Sequence, residues 1–367
     1  MNTGLDGIVA AVTNLSQVDG EAGRLIIRGH DIEALAARFD FADTAALLWQ
    51  GLAPGSTDRP ADGAAIRRDL GLARQRAADR LPYLLPAVQG LSAIEGLRAG
   101  LAMLRDDDCD HLLLCAAVPV FTAALWRQSR GQRSIAPNPG MGQAEDFLTM
   151  LTGQAADQTA ARALETYLVT VADHGLNAST FTARVVASTR AGMVSAVVAA
   201  LCALKGPLHG GAPGPVLDML DEIGDPAGIE PWLDRQFAAG ERLMGFGHRV
   251  YRTRDPRADV LKGVVASLRG GPNRIALAES VERAVLNRLA ERYPDRRLDT
   301  NVEFYTALAL EAAGLPRQLF TLAFAMGRVL GWTAHVFEQE QTGRIIRPAS
   351  RYTGPAPEGR LLAAVAG

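Results

Sequence analysis

Three of the six histidines stand where glycine or asparagine interrupts a helical pattern: His174 in ADHGLNASTFTARV, His209 in GPLHGGAP and His248 in MGFGHRVYRTRDPRA. Imidazole is the side chain best suited to move protons near neutral pH. Beside the third histidine, Arg249, Arg252, Arg254 and Arg257 fall within nine residues, and GRIIRPASRYTG adds Arg344, Arg347 and Arg351. Any one of them reads as part of a solvated face. Guanidinium groups next to turns also hold carboxylates or phosphates in a fixed plane, so a small polyanionic substrate is expected.

A carboxylate completes the set. In LDTNVEFYTALALEAAGLP, Glu303 is the only acidic residue between Asp299 and Glu311. Thr300 and Glu303 have the spacing of a capping box, in which the Glu reaches back to an orphan backbone N–H. Local grammar favours that cap; the competing reading makes Glu303 a proton acceptor, kept ionised by the helix N-terminus. A side chain that curls back onto its own helix points away from a substrate, so the two readings exclude each other.

The elements that must position these groups read as nearly all helix. Apolar residues recur at three and four in AALLWQGL, GLRAGLAML, DFLTMLTG, ALETYLVTVADHGL and QLFTLAFAMGRVLGWTAHVFEQ. Strand signals are rare, with one extended piece expected at Arg24 to Ile27, a turn at Gly29 and a helix capped by Asp31. GPLHGGAPGP, from Gly206 to Pro215, breaks two long helical patterns and reads as a domain junction, with a second at Ala312 to Pro316.

Composition bounds the class. The 367 residues suffice for about two domains, and 48% hydrophobic content with only 6% aromatic leaves Ala, Leu and Val to fill the cores. With 38 basic and 40 acidic side chains the net charge is -2, which gives no overall field for nucleic acid or an anionic membrane. Apolar runs of about 14 residues are short for a bilayer, and the start lacks a secretory pattern. A cytoplasmic protein with Cys109, Cys115 and Cys202 as reduced packing thiols is expected. No HExxH or Cys/His cluster announces a metal, and no complete dinucleotide or P-loop motif announces NAD or ATP.

Taken together, GLDGIVAAVTNLSQVDGEAGRLIIRGHDIEALA, AEDFLTMLTG, DHGLNASTFTARV, GPLHGGAP, MGFGHRVYRTRDPRA, NVEFY and RPASRYTG resemble the citrate synthase family, including its 2-methylcitrate synthase members, over almost the whole chain. The resemblance implies an all-α homodimer with a large domain over 1–210 and 315–367 and a smaller one over 211–314. It implies an acyltransferase of the tricarboxylic acid cycle that condenses acetyl-CoA with oxaloacetate and hydrolyses citryl-CoA, with no cofactor or metal. Residue by residue, it makes His209 the donor to the thioester carbonyl, His248 the group that polarises and protonates the ketone of oxaloacetate, and Glu303 the base. His174, Arg257 and Arg328 match binders of oxaloacetate. Arg347 matches an arginine contributed across the dimer, with Arg344 and Arg351 as alternatives, and Arg252 matches a contact to a CoA phosphate.

This chain departs from the family pattern at its base. NVE stands where the family usually has NVD, which adds one methylene to the carboxylate's reach, and a misplacement of about 1 Å at a reacting centre costs on the order of a hundredfold in rate. GAP replaces the commoner GAN, and Ile27 stands where tyrosine is common. Three readings follow: a citrate synthase, a 2-methylcitrate synthase using propionyl-CoA, and a weakly active or inactive relative that binds CoA or a dicarboxylate.

Overall fold

The three- and four-residue spacing of apolar side chains folds into sixteen α-helices among the described residues, which are Leu5, 7–57, 62–211, 213–247, 251–268 and 272–355 of this computed structural model. The all-α expectation holds. Ten helices precede the GPLHGG turn: α1 (Ile32–Arg38), α2 (Phe41–Trp49), α3 (Gly63–Ala78), α4 (Leu81–Ala87), α5 (Ala93–Ala102), α6 (His111–Ser129), α7 (Gln143–Thr152), α8 (Gln158–Thr170), α9 (Ala178–Ala187) and α10 (Met193–Leu204). After it come α11 (Pro213–Ile223), α12 (Ile229–Ala239), α13 (Pro256–Ser267), α14 (Pro272–Arg292), α15 (Val302–Ala312) and α16 (Phe320–Thr342).

The chain begins with a small antiparallel sheet instead of a single extended piece. Strand β1 (Ser16–Asp19) pairs with β2 (Arg24–Ile27), which pairs with the short β3 (His30–Asp31). Leu25 and Ile27 turn into the core while SQVD shows no apolar alternation of its own, so β1 exists through its pairing. Asp31 stands at the N-cap of α1 without capping it, because both of its oxygens accept from Arg24 at 3.0 Å.

Among the described residues two helices are long and apolar enough to cross a membrane, over 111–129 and 317–341, yet 78% and 89% of their most apolar stretches are buried inside the fold. They are core helices here. α16 packs against α6, α8, α9 and α10, and α11, α13 and α15 pack together before α13 and α15 meet α8. Cys109 and Cys115 are buried as expected, but Cys202 is exposed and packs no core, since it falls on the outer face of α10.

Two glycines on α16 decide how closely that helix approaches the end of α8. A Cβ on Gly327 would lie 2.8 Å from Leu168 O, and one on Gly331 would lie 2.4 Å from Ala172 O, both backbone atoms that cannot swing aside. Arg328 sits between them, and His174 follows the contacted segment. Gly331→Ala is therefore expected to cost about 1–3 kcal/mol through overpacking. Gly263→Ala on α13, where a Cβ meets nothing within 4 Å, should instead gain up to about 1 kcal/mol of helix propensity. Thermal unfolding of the two variants checks this, and equal midpoints would contradict the close-approach argument.

Candidate active site

A cavity of about 530 Å³ brings together His174, His209, Arg257, Glu303 and Arg328 from five separate parts of the chain. His248 lies outside the described residues. Arg252 and Arg347 line other cavities: Arg252 pairs with Glu21 at 2.7 Å beside a second cavity of about 890 Å³, and Arg347 is exposed with Arg344 on a third. Among the described residues, no group of three His, Cys, Asp or Glu side chains is placed to hold a metal ion.

Glu303 does not form the capping box that its spacing suggests. α15 starts one residue later than Thr300 would require, and its N-cap is Asn301, whose Oδ1 accepts from Glu303 N at 3.0 Å. Thr300 is taken by other partners: its backbone bridges Phe246, and its hydroxyl donates to Glu282 Oε1 at 2.8 Å. Asp255 Oδ2 accepts from Val302 N at 3.1 Å, so the first turn is satisfied without the Glu303 side chain. That carboxylate faces the cavity. Burial raises its pKa above the ordinary carboxylate value, against the pull of Arg257 and Arg242 and with help from Asp255. Desolvation thus outweighs the two guanidinium groups, and Glu303 is a stronger base than a solvated carboxylate.

The two arginines differ in how they are held. Arg257, 5% exposed, donates from Nε and Nη2 to the two oxygens of Asp255 at 3.1 and 2.9 Å. Arg328, 1% exposed, donates from Nε to Val171 O at 2.6 Å and stacks over Phe324 at 4.7 Å. It has no ion-pair partner among the described residues. Burial and the neighbouring Arg257 bring its pKa down to about 10, while Asp173 opposes them. Asp255 neutralises Arg257, while Arg328 brings its buried charge to the cavity wall with a carbonyl as its acceptor, which suits an anionic ligand.

The histidines are held by hydroxyls. Burial first, then Arg328 and Arg257, push the pKa of His209 down to about 4, so it is neutral at physiological pH. Its Nε2 lies 2.8 Å from Ser179 Oγ, which also accepts from Trp332 Nε1 at 3.1 Å. Ser179 Oγ also donates to Asn177 Oδ1 at 2.8 Å, and a hydroxyl has one proton; only when that proton is turned to Nε2 instead does Nδ1 carry the hydrogen and become a donor. His174 Nε2 lies 3.1 Å from Tyr251 Oη, in a loop tied to β1 by Gly175 N donating to Ser16 Oγ at 2.9 Å. Ser16 donates to Asp173 at 2.5 Å, and His335 Nε2 lies 3.2 Å from the same oxygen.

The chain belongs to the citrate synthase family. The family model described as citrate synthase, C-terminal domain, matches residues 4–349. The citrate synthase of Haloferax volcanii is 36% identical over 96% of this chain and 96% of its own length. The 2-methylcitrate synthase of Mycobacterium tuberculosis is 35% identical over 96% of this chain and 90% of its own length. The citrate synthase of Thermoplasma acidophilum, solved as a ternary complex with carboxymethyl coenzyme A and oxaloacetate, superimposes with a TM-score of 0.85 at 28% identity, covering 98% of both chains. Membership makes the protein an enzyme that transfers an acyl group.

Several site residues escaped the sequence reading. Asn301, Asp255, Ser179 and Asp173 all lie inside the quoted motifs, next to residues that were singled out. One consequence is testable through pH. Because the folded pKa of His209 is depressed, the unfolded chain takes up its proton between pH 6.5 and about 4 while the folded chain does not, so stability falls across that window. In His209→Asn the fall in thermal midpoint between pH 6.5 and 4 should be smaller than in the wild type. An identical slope would exclude a neutral, half-buried His209.

Proposed function

We propose that this enzyme condenses acetyl-CoA with oxaloacetate and hydrolyses citryl-CoA to citrate and CoA. The observation that carries the reading is the cavity joining a half-buried carboxylate, a neutral imidazole and two buried guanidinium groups. An acetyl methyl is a poor carbon acid, so a base must act while a donor stabilises charge on the thioester oxygen. Glu303 takes the methyl proton and His209, in the tautomer with Ser179 turned to its Nε2 and the hydrogen on Nδ1, donates to that oxygen. The resulting enolate carbon attacks the ketone carbon of oxaloacetate, the thioester carbonyl re-forms, and the ketone oxygen takes a proton from His248. Water then cleaves the thioester, which releases CoA. Arg257, Arg328 and His174 hold the dicarboxylate in the plane that carbon–carbon bond formation requires.

The neighbouring cavity is the candidate for the CoA phosphates. Arg242, Arg252, Arg296 and Arg297 line it, and Arg242 also lies within electrostatic reach of Glu303. In this reading residues 211–314 form the smaller domain, which closes on the rest. No cofactor or metal is called for, since acetyl-CoA is a substrate. The three unpaired cysteines suit a reducing cytoplasm.

A second reading is 2-methylcitrate formation from propionyl-CoA, favoured by the 2-methylcitrate synthase relative at similar identity. One methylene is worth only about 1–3 kcal/mol in a pocket, so kcat/KM for the two acyl-CoAs decides between them. With purified protein, CoA release from acetyl-CoA and oxaloacetate should be lost by about 10²–10⁴-fold in Glu303→Gln and retained in Glu303→Asp. Full activity in Glu303→Gln would remove it from the mechanism.

The homodimer is part of the same proposal. Ile8, Val9, Val12 and Ile345 are exposed on the face that carries Arg344 and Arg347, where a second copy would cover them. Arg347 then serves the partner's cavity, having no place in its own. Mixing inactive Arg347→Ala and Glu303→Ala proteins under subunit exchange should restore about a quarter of wild-type activity, because half of the dimers are hybrids with one intact site. No restoration would show that Arg347 acts within its own chain.

A further inference from the structure

Glu282 lies on α14 behind the cavity, 9% exposed, and the proposed mechanism gives it no task. Its carboxylate collects donors from three other elements. Oε1 accepts from Thr300 Oγ1 at 2.8 Å, while Oε2 accepts from Tyr305 Oη at 2.6 Å and from Lys262 Nζ at 3.0 Å. Thr300 belongs to the turn before α15, Tyr305 to α15 and Lys262 to α13. A carboxylate taken out of water is stable only when such charge-assisted bonds replace its hydration, so the four groups form one connected unit.

That unit grips the residue next to the chemistry. Thr300 precedes Asn301, whose Oδ1 caps Glu303 and whose Nδ2 donates to Gly247 O at 2.9 Å, the residue before His248. The backbone repeats the tie, with Asn301 N donating to Gly245 O at 2.9 Å and Gly247 N donating to Asp299 O at 2.8 Å. The start of α15 and the approach to His248 are thereby fixed to each other, and Glu282 anchors both to α14.

We propose that Glu282 is a positioning residue for proton abstraction, holding Thr300 and Tyr305 so that Asn301 presents Glu303 to the cavity at a fixed reach. The proposal rests on the reaction proposed above. It bears with particular force on this chain: a glutamate has one more rotatable bond than an aspartate, so the start of its helix must be set more firmly. A shift of about 1 Å at the reacting centre is enough to cost about a hundredfold in rate.

Thr300→Val keeps the side-chain shape and removes the hydroxyl, and Glu282→Gln keeps the length and removes the charge. Each should lower kcat by about tenfold while KM for oxaloacetate stays within about twofold, and Thr300→Ser should retain wild-type kcat. The double variant should be no slower than the slower single one, because both remove the same grip. Wild-type kcat in Thr300→Val, additive losses in the double variant, or an effect confined to KM would overturn the assignment. Should Glu282→Gln fail to fold, the comparison of Thr300→Val with Thr300→Ser decides alone. A wild type that releases no CoA would sink the proposed reaction instead. Hydrogen exchange at the Val302 and Glu303 amides then reads the grip directly: about tenfold faster exchange in Thr300→Val supports it, and unchanged exchange overturns it.

Discussion

Arg257 and Arg328 are held out of water in one cavity, and a buried guanidinium persists only where acceptors replace its hydration. The surroundings are organised around that requirement. Asp255 answers Arg257 with both oxygens and uses one of them again on the first turn of α15. Arg328 has a carbonyl and the field of Asp173, which is itself steadied by Ser16 from β1 and His335 from α16. The acceptors that keep the two cations buried therefore also fix the strand, the loop and the helix that carry the other site residues. The same positive field helps to keep His209 neutral, so charge placement and protonation state have one origin.

Most of the architecture was legible because helical periodicity survives folding whenever a helix buries one stripe. The departures come from residues whose local signal had a stronger distant competitor. Asp31 stands where a cap belongs, but Arg24 across the hairpin takes both of its oxygens. Thr300 and Asn301 are adjacent and both able to cap; only the position of Glu282, eighteen residues earlier in sequence, assigns the role to Asn301. β1 has no strand pattern in its own four residues and is formed by what lies beside it.

The candidate site was legible to a similar extent and for a related reason. Histidine, arginine and glutamate announce reactivity through their chemistry, so His174, His209, Arg257, Glu303 and Arg328 stand out in the motifs, whereas Asn301 on the same cavity does not. Asp255, Asn301 and Ser179 act on other side chains, and their types are equally common in ordinary turns and caps. Glu303 had the opposite difficulty, because one residue carried two coherent meanings. Burial raises its pKa, which helix position alone could not reveal, since desolvation is a property of the assembled cavity.

Asn301 acts as a spacer. Its amide spans the start of α15 and the carbonyl of Gly247, so one short side chain, together with the two backbone bonds beside it, sets the interval between those backbones. The reach of the carboxylate into the cavity is set separately, by the length of the side chain at position 303. Frame and arm are thus independent dimensions of the same device, and a longer arm can be mounted on the frame without re-spacing the backbone. The glutamate at this position therefore sets the carboxylate's reach by its own length, while the neighbouring bonds set where that reach begins.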